Sequence, residues 1–254
     1  MKKILIIFAL GFVLFISCSK EEDSSVYVIN PLTNKQATGS SSHDLLADKK
    51  FKSMIVEVVY VEGLEPSTTA ISNFVSFLGA RTFKPNGITV IKRAIPSPGK
   101  VTFTITEIAA IEDANRTKYN TADQIAVWVF FVDGKSELDT STSVILGQSY
   151  RNTSFVIFEK NVRVLSDSPL EPTRSLLETT VITHEAGHIL GLTNLGATMQ
   201  NNHEDTSHPK HCNVSNCLMY WASETSHSIS NMGSGLAPQL DAQCLADLRA
   251  NGGR

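Results

Sequence analysis

An α/β sandwich on a mixed, twisted sheet is what this chain of 254 residues predicts. Three observations carry the prediction. A β-branched run, a helical pattern and a second β-branched run follow one another between residues 53 and 95, the order of a parallel pair joined by a right-handed crossover. The most apolar run outside the first twenty residues, 124–132, shows no polar alternation, as a strand covered on both faces requires. Beyond residue 194 the periodic patterns give way to loop residues, so a loop-rich C-terminal third follows the strands and helices.

The elements follow in order. Residues 53–61 are β-branched and mostly apolar, the composition of a doubly covered strand. Pro66 opens a helical pattern through Ile71, Phe74, Val75 and Leu78 that ends near Gly79. Pro85-Asn86-Gly87 turns the chain into a second strand, 88–95, and Pro96 to Gly99 form a loop. Residues 101–106 alternate, Val-Thr-Phe-Thr-Ile-Thr, and read as a half-exposed strand or ribbon. The run 124–132 is the expected central strand, ended by Asp133-Gly134. Residues 144–150 and 154–158, separated by three residues, read as a hairpin returning to the sheet. Pro169 and Pro172 then precede a long helix, 175–190.

Composition limits the function. With 42% hydrophobic and 19% charged residues the chain is ordinary globular material, and its formal charge is −3 with no basic run. Nucleic acid is therefore not an expected partner. The sequence holds no internal repeat or heptad array, and a monomer is expected.

The first residues read as a targeting segment. Lys2-Lys3 precede an apolar stretch, 4–16, too short to span a bilayer and followed by Ser17-Cys18. This resembles a bacterial lipobox, with Phe15 where such boxes usually carry Leu; a plain secretory signal is the alternative. The resemblance implies a signal peptide over 1–17 and a lipid on Cys18. The acidic tract Glu21-Glu22-Asp23 is similar to the export signal of Bacteroidetes surface lipoproteins. Together they imply an extracytoplasmic protein, lipid-anchored at the outer membrane and cell surface. Residues 18–50, rich in Ser, Thr, Asn, Lys and Asp, are expected to form a flexible tether, with His43 solvated in it and the folded domain spanning 51–254.

The chemistry concentrates in 176–194. Leu177, Val181, His184 and His188 recur at helical spacing, and residues four apart lie about 40° apart round a helix axis, so both imidazoles share one face. Two neutral imidazoles one turn apart can hold one Zn²⁺. Glu185, beside them, suits a general base that takes a proton from water polarised by the metal. Gly191 marks the helix stop. His-Glu-x-x-His also occurs by chance on amphipathic helices; the apolar lead-in, Gly191 and a downstream His/Cys/Met cluster favour the zinc reading.

His184-Glu185-x-x-His188-x-x-Gly191 resembles the metzincin metalloprotease signature, whose third zinc ligand stands three residues after the glycine. Here that residue is Asn194, a poor ligand. His211-Cys212-x₄-Cys217-x-Met219 resembles the archaemetzincin branch, which implies His211 as third ligand and Met219 as the methionine of a tight turn beneath the metal. His203, followed by Glu204 and Asp205, is the alternative ligand, and His208 a lesser one. The branch also holds a structural zinc on four cysteines. Here Cys212, Cys217 and Cys244 match the first, second and last, and Asp241 stands where the third would be. A Cys₃Asp site and a Cys212–Cys217 disulfide with Cys244 unpaired both remain open.

The resemblance implies a metzincin-like fold with a backing helix, an active-site helix, and an antiparallel edge strand, for which 144–150 is the candidate. Peptide would pair with that edge, and Tyr220 and Trp221 would line the pocket or sit in the core. The function implied is a zinc endopeptidase with a peptide or protein substrate. A binding lipoprotein without turnover and a zinc hydrolase of a non-protein amide are the rivals.

Overall fold

In the computed structural model, residues 28–169, 171–227 and 235–254 are described. The signal peptide, Cys18 and the acidic tract lie outside them. A five-stranded sheet organises the rest, built from β1 (Ser53–Val61), β2 (Ile88–Ile95), β4 (Gln124–Phe131), β6 (Gly147–Arg151) and β7 (Ser154–Ile157) in the order β2-β1-β4-β7-β6. A short parallel pair, β3 (Thr102–Phe103) with β5 (Lys135–Ser136), stands apart. β2, β1, β4 and β7 run parallel, and β6 closes one edge antiparallel to β7. The 124–132 run is thus central, the 53–95 unit is a parallel crossover, and the hairpin carries the antiparallel edge.

The lack of polar alternation in β4 has its cause in the packing. Val127, Val129 and Phe131 point into one buried cluster with Met54, Val56, Phe74, Leu177 and Val181. Trp128, Phe130 and Val132 point into a second, with Phe103 and Ile108. Period-two side chains therefore reach apolar neighbours on both faces. The first face is covered by α2 (Thr68–Arg81) and α5 (Arg174–Ile189), the second by α3 (Ile105–Asn115). α4 (Glu159–Val164) links the hairpin to α5. Ser67 caps α2 by accepting from Ala70 N, and Glu178 on α5 accepts from Ser67 N at 2.9 Å, so the two helices lock at their ends.

Two expectations are corrected. Residues 105–106, read as part of an alternating strand, begin α3. Thr104 and Glu107 form a reciprocal capping box there, which satisfies two free amides and decides for helix over strand. The expected tether is also folded from residue 31. A 3₁₀ turn (Pro31–Asn34) and α1 (Ser42–Leu46) pack onto the domain, with Leu45 and Leu46 fully buried. Asn34 donates to Asn120 Oδ1, Ala126 O and Thr153 Oγ1 at 2.9–3.1 Å. Lys84 Nζ donates to the carbonyls of Asp44, Ala47 and Phe51. The polar residues that looked like tether are tied down by buried hydrogen bonds, which outweigh the ordering cost. His43 is likewise held, its Nδ1 2.7 Å from Asn251 O.

Candidate metal centre

α5 places the site. Thr173 caps its start by accepting from Leu176 N, and the helix ends at Ile189 before Gly191, whose φ is 88°. A Cβ on Gly191 would meet Ser42 Oγ at 2.5 Å and Ala197 N at 2.6 Å, so glycine is required for space as well as for backbone. Gly187 has a different reason for standing mid-helix. A Cβ there would lie 2.2 Å from Met219 Sδ, so Met219 packs against α5 between the two histidines. Met219 belongs to a turn in which Tyr220 N donates to Cys217 O at 3.0 Å. In the same turn Leu218 O lies 2.7 Å from His184 Nδ1 and orients that ring.

His184, Glu185 and His188 are all buried. His188 Nε2 and His184 Nε2 lie 3.1 Å apart. His211 joins them, its ring stacked on His184 at 5.3 Å between centroids and edge-on to His188 at 5.1 Å. A fourth group completes the cluster: Glu224, at the end of a 3₁₀ turn (Trp221–Glu224), brings Oε1 to 3.2 Å from His211 Nε2 and Oε2 to 3.6 Å from His184 Nε2. Sequence reasoning missed Glu224, which lies on a short turn without periodicity. Burial holds His188 well below the ordinary histidine range, helped by neighbouring His184, so it presents a neutral ring to a metal. Burial would raise the Glu224 carboxyl, but the His184 and His211 rings outweigh it and hold it well below the usual range.

Glu185 packs against β6, with its carboxyl also close to that of Glu224. Ser149 Oγ lies 2.8 Å from Glu185 Oε2 and 2.8 Å from its carbonyl oxygen. Oε1 is buried and, among the described residues, has no geometric hydrogen-bond partner. Burial, then the charge of Glu224, push this carboxyl well above its ordinary range. A cleft opens here, lined by Ile145, Gly147, Ser149, His188, His211 and Glu224 among others. Tyr220 and Trp221 are absent from its lining; Trp221 stacks on His208 at 4.3 Å.

The other histidine candidates lie elsewhere. His203 is fully buried, with Nε2 2.7 Å from Asp247 Oδ2 and Nδ1 3.4 Å from Cys212 Sγ. His208 Nδ1 is 2.8 Å from Asp205 Oδ2. Asn194 adopts a φ of 69° and donates to Glu204 Oε2 at 3.2 Å. Of the proposed third ligands, only His211 stands with His184 and His188 among the described residues.

No protein-family model matches the chain, and no curated protein matches it. Among solved structures, archaemetzincin from Methanopyrus kandleri matches with a TM-score of 0.50 and 18% identity, over 79% of this chain and 96% of that one. The fold is archaemetzincin-like. The mostly parallel sheet, the antiparallel edge strand and the helices on its faces are consistent with that fold.

On this archaemetzincin-like frame a second cluster sits beside the first. Cys212, Cys217, Cys244 and Asp241 bring one ligand atom each to within 4.8 Å of one another. All three thiols are free, so the Cys212–Cys217 disulfide is not formed, and Cys217 Sγ stands 3.6 Å from Cys244 Sγ. Asp241 caps α6 (Ala242–Ala250), its Oδ1 accepting from Cys244 N at 2.8 Å, while Cys212 Sγ reaches Oδ2 at 3.3 Å. Hydrogen bonds from Cys212 and then Cys244 draw the Cys217 thiol down to about 3, and the same contacts push Cys212 up to about 12 and Cys244 up as well, so one thiolate is shared within the cluster.

Proposed function

We propose that the chain is a zinc-dependent endopeptidase, with His184, His188 and His211 holding the ion and Glu185 as general base. One observation carries the reading. Three imidazoles converge with Glu224, and beside Glu224 lies the buried Glu185 carboxyl, whose Oε1 has no geometric hydrogen-bond partner among the described residues. The donors fit zinc. Two ligands at roughly 2.1 Å from a tetrahedral ion lie about 3.4 Å apart, against 3.1 Å between the His184 and His188 nitrogens.

A zinc ion bound here supplies a Lewis acid that polarises a peptide carbonyl and lowers the pKa of water. The carbonyl of Leu218 holds the His184 ring so that Nε2 faces the cluster. Ser149 fixes one Glu185 oxygen and leaves the other to take a proton from the attacking water. Glu185 then returns that proton to the leaving amine. Burial raises the affinity of this carboxyl for a proton, as a base working near neutral pH requires. The exposed edge of β6 beyond Gly147 offers backbone groups for a substrate strand. A second, structural zinc on Cys212, Cys217, Cys244 and Asp241 would tie α6 to the turn beneath the site.

Metal analysis with a peptide-library digest tests the proposal. The zinc-loaded protein should cleave peptides, and Glu185→Ala should keep its zinc and lose cleavage. Zinc without cleavage in the native chain would favour the binding-lipoprotein reading, and cleavage of glycan-linked amides alone the non-protein hydrolase. We also propose that the chain is exported and lipid-anchored through Cys18, on the strength of its first 23 residues. Cys18→Ser should abolish fatty-acid labelling; labelling that persists rules out the anchor.

A further inference from the structure

The segment that carries Glu224 does more than bring a carboxylate near the site. Residues 224–226 lie antiparallel along 144–146, where Leu146 N donates to Glu224 O and Ser226 N donates to Val144 O, both at 2.8 Å, and Ile145 bridges Thr225. Val144 N donates to Ser226 Oγ at 3.1 Å. The chain therefore occupies with its own backbone the start of the edge that the 144–150 expectation assigned to substrate. The same three residues deliver the Glu224 carboxylate into the cluster of imidazoles. Its oxygens stand 3.2, 3.6 and 3.8 Å from the Nε2 atoms of His211, His184 and His188. These separations bracket the value of about 3.4 Å expected between ligands of one tetrahedral zinc. Nδ1 of His184 and His211 face the carbonyls of Leu218 and Pro209, so each ring turns Nε2 toward the Glu224 carboxylate.

Resting on the zinc reading above, we propose that Glu224 is the fourth protein ligand of the centre and that residues 224–226 are an internal plug. Sites with four protein ligands are closed, whereas catalytic zinc sites keep one position for water or substrate. With Glu224 in place the centre is in a resting state. Activity requires the carboxylate to leave and the 224–226 pairing to slip from 144–146, which frees the metal position and the edge together. A substrate strand that competes for Val144 and Leu146 would drive that exchange, so the device couples peptide binding to opening of the metal.

The test uses the full chain loaded with zinc or with cobalt(II) as a spectroscopic probe, comparing the native protein with Glu224→Gln and Glu224→Ala. His188→Ala supplies the background from the cysteine cluster. In the native protein the visible cobalt bands should resist acetohydroxamate at concentrations that shift the bands of both variants. Zinc affinity should drop by about 10–100-fold in the variants, the scale on which perturbing a metal's coordination is felt. Peptide cleavage by Glu224→Gln should rise above native. Equal acetohydroxamate responses with equal zinc affinities would overturn the plug and leave the zinc site standing. A fall in cleavage with Glu224→Gln would overturn it too, by making Glu224 a working group. Native protein that binds no metal above the His188→Ala background removes both this inference and the zinc reading. The near-isosteric Gln variant, checked by circular dichroism, guards against a folding defect in the Ala variant.

Discussion

Gly147 offers a test of Glu185 that leaves every ligand untouched. It opens β6, and its missing side chain lets α5 approach the strand. A Cβ there would lie 2.6 Å from Val181 Cγ1, 2.8 Å from Glu185 Oε1 and 2.9 Å from Glu185 Cγ. Ordinary contacts are about 3.5–4.0 Å, so the helix face must retreat by about 1 Å. Val181 and Glu185 are both fully buried, and overpacking of such a site costs about 1–3 kcal/mol. At roughly 2–4 °C per kcal/mol for a domain of this size, Gly147→Ala should lower Tm by several degrees. The larger effect falls on catalysis, because a misplacement of about 1 Å costs about 100-fold in rate. None of the three nearest atoms belongs to an imidazole, so zinc content should not change. The assay is cleavage of a quenched fluorescent peptide alongside metal analysis and a thermal melt. Native kcat/KM in Gly147→Ala would refute the argument that Glu185, pressed against β6, is the base.

Lys84→Met would strand the buried carbonyls of Asp44, Ala47 and Phe51, which its ammonium serves. At about 1 kcal/mol each the loss is about 3 kcal/mol in a urea melt, and an unchanged midpoint would remove Lys84 as the clasp of this segment. Glu159 is raised from an ordinary 4.5 to about 8 by burial and then by the Glu178 charge. The folded protein therefore holds this proton more tightly than the unfolded chain, so its share of stability is full below about pH 4.5 and fades as pH rises through 8. Glu159→Gln should flatten that slope in melts between pH 5 and pH 8; a parallel curve would contradict the shift. Gly187→Ala should displace Met219 and weaken zinc binding through the Leu218–His184 contact, measured by competition with a chelator.

How much of this was legible follows the range of the forces. The β1–α2–β2 crossover, the β4 core strand and the His184/His188 face depend on local periodicity, and periodicity is visible along a chain. α3 carried its own mark, Thr104-x-x-Glu107, but the alternation from Val101 to Thr106 competed with it. The 31–50 segment was opaque for another reason. Asn34 and Ser42 are polar by composition and buried by context, and the partners that hold them lie 86 to 209 residues away. His211 could not be separated from His203 because a loop's spacing does not say which ring turns inward. Asp247, far along the chain, is what captures His203. Glu224 had no signature at all, since only the pairing of 224–226 with 144–146 brings it home.

The docking of α1 bears on how the molecule is made. Ser42 Oγ donates to Leu190 O at 2.5 Å across 148 residues of sequence, and Asn251 Nδ2 donates to the same hydroxyl. During synthesis Lys84 can clasp the amino-terminal arm early, but its seat is incomplete. The Ser42 hydroxyl must wait for its partners until the end of α5 and then the residue after α6 emerge. Contacts of such long range make a slow final step, so the end of α5 beside His188 should be the last part of this protein to mature.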